Sequence, residues 1–440
     1  MTLALDIYLQ SAWMILSSAK NTSKSTAAEN KSARRIAPFV LLQLSSLTSI
    51  ISGSMVFITF PWLALDLTGL ASSAGLLVAI TNIPGLLLSP VIGSIIDKFG
   101  RRRSSVWVEW LTAGSALIVP AVAALLTMNL PLLIAVGVLR SIVGSGGGTA
   151  RKSLVPDVAD AGQIPLTRAN SIHEAVFASG FAIGPAIAAI SIAQLGAINT
   201  FYVVGAASVL SAIFSMLIRV TEKREEHDPA DSGNIFVFAS QGFRALVKTP
   251  AVFMVMGGFS ILALIYIPIE VVLLPAHFNE LKDPESLGVI ISTMAAFSVL
   301  GALGFERLHK YISYANLLRM GILGVSLSIF PMSALPPIWV MLFFGAILGF
   351  VWGPLAPLLN TVIQERVSPN MRGRVFSLEM TIWTAGPMIS MPLVGALVDA
   401  WGVQPVYITL AILVFIAGVF ISTRRQIHEL DAPLPEGKED

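Results

Sequence analysis

Twelve stretches of about twenty mostly apolar residues recur along this chain, and that is the length an α-helix needs to cross the hydrocarbon core of a bilayer. They lie at 37–65, 72–96, 104–127, 131–153, 169–194 and 199–219. After a polar interval they resume at 251–276, 285–306, 314–335, 337–362, 375–398 and 404–423. Charged residues make up only 12% of the 440, against 55% hydrophobic, whereas a soluble domain carries about 25% charged residues. The mean hydropathy is +0.78. Lipid must therefore solvate most of the surface, and each spanning segment must satisfy its own backbone hydrogen bonds as a helix. The expected fold is all-α and integral to the membrane.

The basic residues give these helices a direction. With twelve spans both termini lie on one side, and that side collects the clusters Lys98 with Arg101, Arg102 and Arg103, then Arg151, Lys152 and Arg168. It also holds Arg307 and Lys310, then Arg366, Arg372 and Arg374, and finally Arg424 and Arg425. The six loops on the other side hold Lys282 alone. Lysine and arginine are retained on the cytoplasmic side, so both termini are expected to be cytoplasmic in a multi-pass plasma-membrane protein. A different helix count would scramble this asymmetry.

The charged run Thr221-Glu222-Lys223-Arg224-Glu225-Glu226 opens a linker between two six-helix halves. The organisation expected is an N-terminal cytoplasmic or interfacial segment at 1–35, a first bundle at 36–220, the linker at 221–249, a second bundle at 250–425 and a cytoplasmic tail at 426–440. Residues 1–18 are apolar but carry Asp6 and lack the basic start of a cleaved signal peptide, which leaves an interfacial segment or an over-extended gene start. The polar residues from Glu429 onward have the composition of a disordered tail. The halves are similar to each other: Gly184-Pro185 sits mid-way along the fifth span and Gly386-Pro387 along the eleventh. Alternating-access carriers are built from such duplicated bundles.

Several chemistries are excluded. Cysteine is absent, which removes disulfides and thiolate ligands. The five histidines, at 173, 227, 277, 309 and 428, have no metal-ligand spacing. No G-x4-G-K-[ST] loop exists, so ATP hydrolysis by this chain is not expected, nor is a nucleic-acid partner. The glycine run Gly144, Gly146, Gly147, Gly148 lies inside the fourth span, the wrong context for phosphate. No cofactor is expected, and the proton motive force is the expected energy source.

Four motifs occur in order. Gly93-Ser-Ile-Ile-Asp97-Lys98-Phe-Gly100-Arg101-Arg102-Arg103 joins spans two and three. Arg140-Ser-Ile-Val-Gly144-Ser-Gly146-Gly147-Gly148 lies in span four, and Gly180-Phe-Ala-Ile-Gly184-Pro185 in span five. The loop Gln364-Glu365-Arg366-Val-Ser-Pro369-Asn-Met-Arg372-Gly373-Arg374 precedes span eleven. Together they resemble the major facilitator superfamily, the bacterial drug-efflux type that includes the macrolide-efflux and enterobactin-exporter branch, over residues 36–425. The resemblance implies the twelve-helix fold in two six-helix bundles, with spans one, four, seven and ten around a central cavity. It also implies that Asp97 faces the start of span eleven near Arg374, and that Gly93, Asp97, Gly100, Arg101 and Arg102 form a gate. Two departures stand out: the span-five motif ends in Ala188-Ala189 where paired glycines are usual, and the second-half copy of the gate loop keeps only Glu306 and Arg307.

Charges inside the membrane cost at least ~2.5–3.5 kcal/mol each and mark function. Arg140 lies near the middle of span four, and Glu270 in span seven beside Pro268. Glu270 shares a helical stripe with Tyr266 and His277, at spacings of four and seven. These four residues are the candidates for substrate and proton coupling, with Glu270 as a carboxylate for which proton and substrate compete. Bracing of the cavity wall through backbone carbonyls is the alternative role for Arg140. Glu109, Glu174 and Glu379 lie one to two turns from the cytoplasmic face and are assigned to the gate. Gly180, Gly184 and Pro185 are assigned to packing in the antiporter motif. Ser45, Ser49, Ser52 and Thr59 form a small-polar stripe, and Phe57, Trp62, Phe259, Phe343, Phe344 and Trp352 are candidate aromatic walls.

The leading expectation is a monomeric, proton-coupled exporter of amphipathic drugs or antibiotics. Export of one metabolite such as a siderophore is the nearest alternative; a non-transporting sensor and a membrane-embedded enzyme are remote ones.

Overall fold

The structure is a computed structural model that describes residues 36–144, 146–220, 246 and 249–431. Among them are eleven helices long and apolar enough to cross a membrane. A twelfth, Ala71–Phe99, is apolar over Ala71–Gly85. The first bundle comprises Ala37–Thr68, Ala71–Phe99, Arg101–Leu125, a fourth span in two pieces (Leu130–Gly144 and Gly147–Ala161), Leu166–Leu195 and Ala197–Leu217. The second comprises Pro250–Glu280, Pro284–His309, Tyr314–Ser333, a tenth span in two pieces (Ile338–Trp352 and Leu355–Arg366), Pro369–Trp401 and Val403–Thr423. These are spans 1 to 12 below. The all-α architecture in two bundles is the one the sequence predicts.

Span ends differ from the sequence reading at two places. Span 4 continues past residue 153 to Ala161, because Leu154, Val155 and Val158 pack on Phe39 and Leu42 of span 1. Arg151 is consequently a buried helical residue, 6% exposed, and not part of a loop. At the C-terminus the expected tail at 426–440 is ordered at its start. Arg425–Leu430 forms a 3-10 helix, whose period of three puts Ile427 and Leu430 on one face. Both are buried. Arg366 donates to the Leu430 carbonyl (3.0 Å) and Asp431 accepts from the Ala315 N–H (3.2 Å), tying the turn to spans 9 and 10. The linker expected at 221–249 and the segment at 1–35 lie outside the described residues, Leu246 and Thr249 excepted.

Serines hold the first bundle together. Ser45 bonds Ser211 (3.0 Å) and Ser215 (2.7 Å), and Ser52 bonds Ser208 (2.7 Å) and donates to the Val204 carbonyl (3.1 Å). Ser45 and Ser52 of the span 1 stripe therefore face span 6, while Ser49 faces Glu109 of span 3. Inside a bilayer, where helices gain nothing from excluding water, such bonds and close backbone approach drive association. Gly180 and Gly184 supply the close approach: a methyl group on either would run into Ile50 or Ser54 of span 1.

The two bundles meet along spans 2 and 11, spans 5 and 8, and spans 1 and 7. The Ala188-Ala189 departure in span 5 is compensated across this seam. Gly288 of span 8 lies directly against Ala189 and the Pro185 carbonyl, with no room for a side chain. The small residue that span 5 lacks is supplied by its partner.

Candidate substrate and coupling site

Span 7 carries the irregular backbone of the site. Two π-helical turns, Leu262–Tyr266 and Ile269–Leu273, interrupt it. Pro268 has no N–H to give the residue four before it, and its ring displaces that carbonyl. Each π turn closes one residue wider just before a proline: Ile267 N–H bonds Leu262 O ahead of Pro268, and Leu274 N–H bonds Ile269 O ahead of Pro275, which likewise has no N–H to give. Such turns concentrate at functional sites. Tyr266 lies in the first and Glu270 in the second. The widening alters the regular α-helical stripe read from the sequence: His277 packs edge-on against Phe278 (5.0 Å), while Tyr266 and Glu270 lie on successive π turns.

Aromatic rings from three spans form a chain of contacts that starts at Tyr266. Tyr266 and Trp352 of span 10 have centroids 4.7 Å apart. Trp352 lies 5.9 Å from Trp383 of span 11, which in turn lies 6.1 Å from Phe259 of span 7. Glu270, Trp352 and Trp383 are half-buried, and Tyr266 and Phe259 are buried. Trp383 was not among the candidates from sequence; its signal is the i, i+4 spacing from Glu379, which is also half-buried. Phe343 is 61% exposed, and Trp62 is buried.

Arg140 stays within the first bundle. Its guanidinium donates to the Thr112 carbonyl (3.1 Å), Ser115 Oγ (3.3 Å) and Ser52 Oγ (3.3 Å). It thus links spans 1, 3 and 4, and among the described residues it makes no ion pair with Glu270. A planar fork of donors suits three acceptors in fixed positions.

The gate candidates fall into three groups. The side chains of Gly93 and Asp97 lie outside the described residues, so their meeting with span 11 is not described. Gly100 precedes span 3 at φ 91°. Arg101 pairs with Asp157 of span 4 (3.3 Å), Arg102 donates to the Met216 carbonyl of span 6 (3.0 Å), and Arg374 points to Met371 Sδ (3.2 Å). Glu109 pairs with Arg151, and Ser49 donates to the same carboxylate (3.1 Å). Glu174 pairs with Lys152 at 2.8 Å on the surface. Arg151, His173, Glu174, Ser46, Ile50 and Phe177 line a cavity of about 600 Å³ on the basic face.

At the opposite face carboxylates join the two bundles. Asp66 of span 1 accepts from Asn279 (2.8 Å) and faces Lys282 (3.6 Å), both at the end of span 7. Asp399 of span 11 accepts from the backbone N–H groups of Ala71 (2.6 Å) and Ser72 (3.1 Å), the first turn of span 2. Among the described residues no group of three acidic or histidine side chains could hold a metal ion.

Comparison with known proteins agrees with this architecture. A family model described as Major Facilitator Superfamily matches residues 42–378 and 271–439. The chain is 29% identical over 402 residues to the multidrug efflux pump Tap of Mycolicibacterium fortuitum, covering 90% of this chain and 97% of that one. It is 20% identical over 405 residues to macrolide efflux protein A of Streptococcus pyogenes, covering 89% and 97%. Among solved structures, a mutant of the nucleoside transporter NupG superposes with a TM-score of 0.72 at 11% identity, covering 88% of this chain and all of that one.

Proposed function

The chain belongs to the Major Facilitator Superfamily, and on that premise we propose that it is a proton-coupled antiporter that exports amphipathic drugs or antibiotics by alternating access. The basic face is cytoplasmic, by the lysine and arginine asymmetry. The bundles rock about their seam, and each face opens in turn. In such a cycle the carboxylate contacts between the bundles at the opposite face belong to the state that opens to the cytoplasm.

One observation carries the substrate class: Glu270 lies one turn from Tyr266, which begins a chain of ring contacts through Trp352 and Trp383 to Phe259. Aromatic faces attract cations and bury large apolar area, so the site suits a ligand that is both aromatic or greasy and positively charged. A proton arriving from outside neutralises Glu270 and releases the cation, and loss of that proton to the cytoplasm resets the site. The names of the efflux relatives support the same reading.

The test is transport in proteoliposomes with an imposed proton gradient, following an amphipathic cationic dye and a pH reporter together. Dye movement that collapses with the gradient, matched by proton flux, is the expected outcome. Movement indifferent to the gradient would remove the coupling, and no movement across a broad panel would remove the drug-efflux reading.

A further inference from the structure

Spans 2 and 11 end in the same pattern. Span 2 closes with Pro90-Val-Ile-Gly93-Ser-Ile-Ile-Asp97-Lys98-Phe-Gly100, and span 11 with Pro392-Leu-Val-Gly395-Ala-Leu-Val-Asp399-Ala-Trp-Gly402. Proline, glycine, aspartate and glycine recur at identical spacing. Both terminal glycines have positive φ, 91° at Gly100 and 81° at Gly402, a conformation that side chains disfavour. The two copies end on opposite faces: residue 100 leads into the basic run, and residue 402 lies at the opposite face.

The two spans are packed against each other and run antiparallel, and at the opposite face the end of span 11 lies beside the beginning of span 2. At the opposite face the contact is complete. The first two N–H groups of a helix have no intrahelical partner, and here Asp399 takes both, one on each carboxylate oxygen. One turn earlier Gly395 lies on the Ala71 carbonyl and the Ser72 backbone, and Gly75 of span 2 lies on the Met391 carbonyl. Neither glycine leaves room for a methyl group, so the glycines bring the backbones close enough for the carboxylate to reach. At the basic face the beginning of span 11 is Ser368-Pro369, and Ser368 makes no side-chain cap.

We propose that spans 2 and 11 form a two-ended latch in which Asp399 locks the face opposite the basic one, as the counterpart of the Asp97 gate. Closing one end brings a carboxylate onto the helix N-terminus there and separates the other pair. A carboxylate at a helix N-terminus is favoured both by hydrogen bonding and by the helix dipole. Two such contacts of similar strength bias the carrier to neither state, as exchange between open faces requires. Asp399 acts on the position of the spans and touches no substrate. The inference rests on the alternating-access reading above.

The chain has no cysteine, so spin-label pairs can be introduced without background. One pair, Leu70→Cys with Gln404→Cys, reports the opposite face; another, Arg168→Cys with Lys310→Cys, reports the basic face. Distance distributions would be measured in lipid nanodiscs on the full chain. Asp399→Asn is expected to raise the ratio of open to closed opposite face by roughly three- to tenfold, with the basic face closing in step. Asp97→Asn should shift both distances the other way. Ser72→Pro is an independent check, since proline is tolerated in a first helical turn but lacks the N–H that Asp399 accepts; it should act like Asp399→Asn. If the parent shows two populations that Asp399→Asn and Ser72→Pro leave at the same ratio, the latch is overturned while alternating access stands. If the parent shows one distance at each face under every substrate and pH condition, alternating access fails and the latch with it.

Discussion

Glu109 of span 3 and Arg151 of span 4 form an ion pair whose side chains are 2% and 7% exposed, packed beside Gly147 and capped by the Ser49 hydroxyl. Two charges so placed are separated from water, and each is tolerable only because of the other. Among the described residues Glu109 Oε2 has no hydrogen-bond partner, so the carboxylate depends on Arg151 and Ser49. Glu109→Gln or Arg151→Met alone should therefore destabilise the protein by on the order of 3 kcal/mol. The double variant should recover most of that loss. Thermal unfolding of the purified protein in detergent, compared across the four-member cycle, checks it; additive losses would mean that the pair is not coupled.

Arg140 spans three acceptors on two neighbouring helices, Ser52, Thr112 and Ser115. Lysine carries the same charge but cannot reach all three with one ammonium. Arg140→Lys should lower the unfolding temperature and slow transport, whereas a role as a simple positive charge predicts little change. Measuring both in one preparation separates the two roles.

Trp352 and Trp383 stand 5.9 Å apart in the chain of rings that starts at Tyr266. Losing one aromatic partner costs about 0.5–1.5 kcal/mol beyond its area, so Trp352→Ala and Trp383→Ala should each weaken dye affinity several-fold. Glu270→Gln should behave differently, removing the pH dependence of dye binding and the gradient-driven step while leaving neutral ligands bound. Fluorescence titration at two pH values reads both effects. Unaltered pH dependence in Glu270→Gln would move coupling to another carboxylate.

Gly288 lies against Ala189 across the bundle seam. Gly288→Ala should overpack that contact by about 1–3 kcal/mol, and adding Ala189→Gly should restore part of it, since the Pro185 carbonyl remains close. Stability of the single and double variants, measured in parallel, tests whether the seam is set by this one pair.

The sequence by itself determined the number of helices, their division into two bundles and the sign of each face. Those properties depend on chain length, apolar runs and the placement of lysine and arginine, all local quantities. It also singled out Glu270, because a carboxylate within a span is costly wherever its neighbours lie. Tertiary structure decided what each polar group faces. Ser45 and Ser52 point at span 6, Glu109 meets Arg151, and Trp383 joins Trp352 from a different span. The π turn that holds Glu270 lies between Pro268 and Pro275 within a packed span, and the compensation of Ala189 by Gly288 joins residues on separate bundles. Such pairings are long-range, and a one-dimensional pattern does not encode which side of one helix will lie against which side of another.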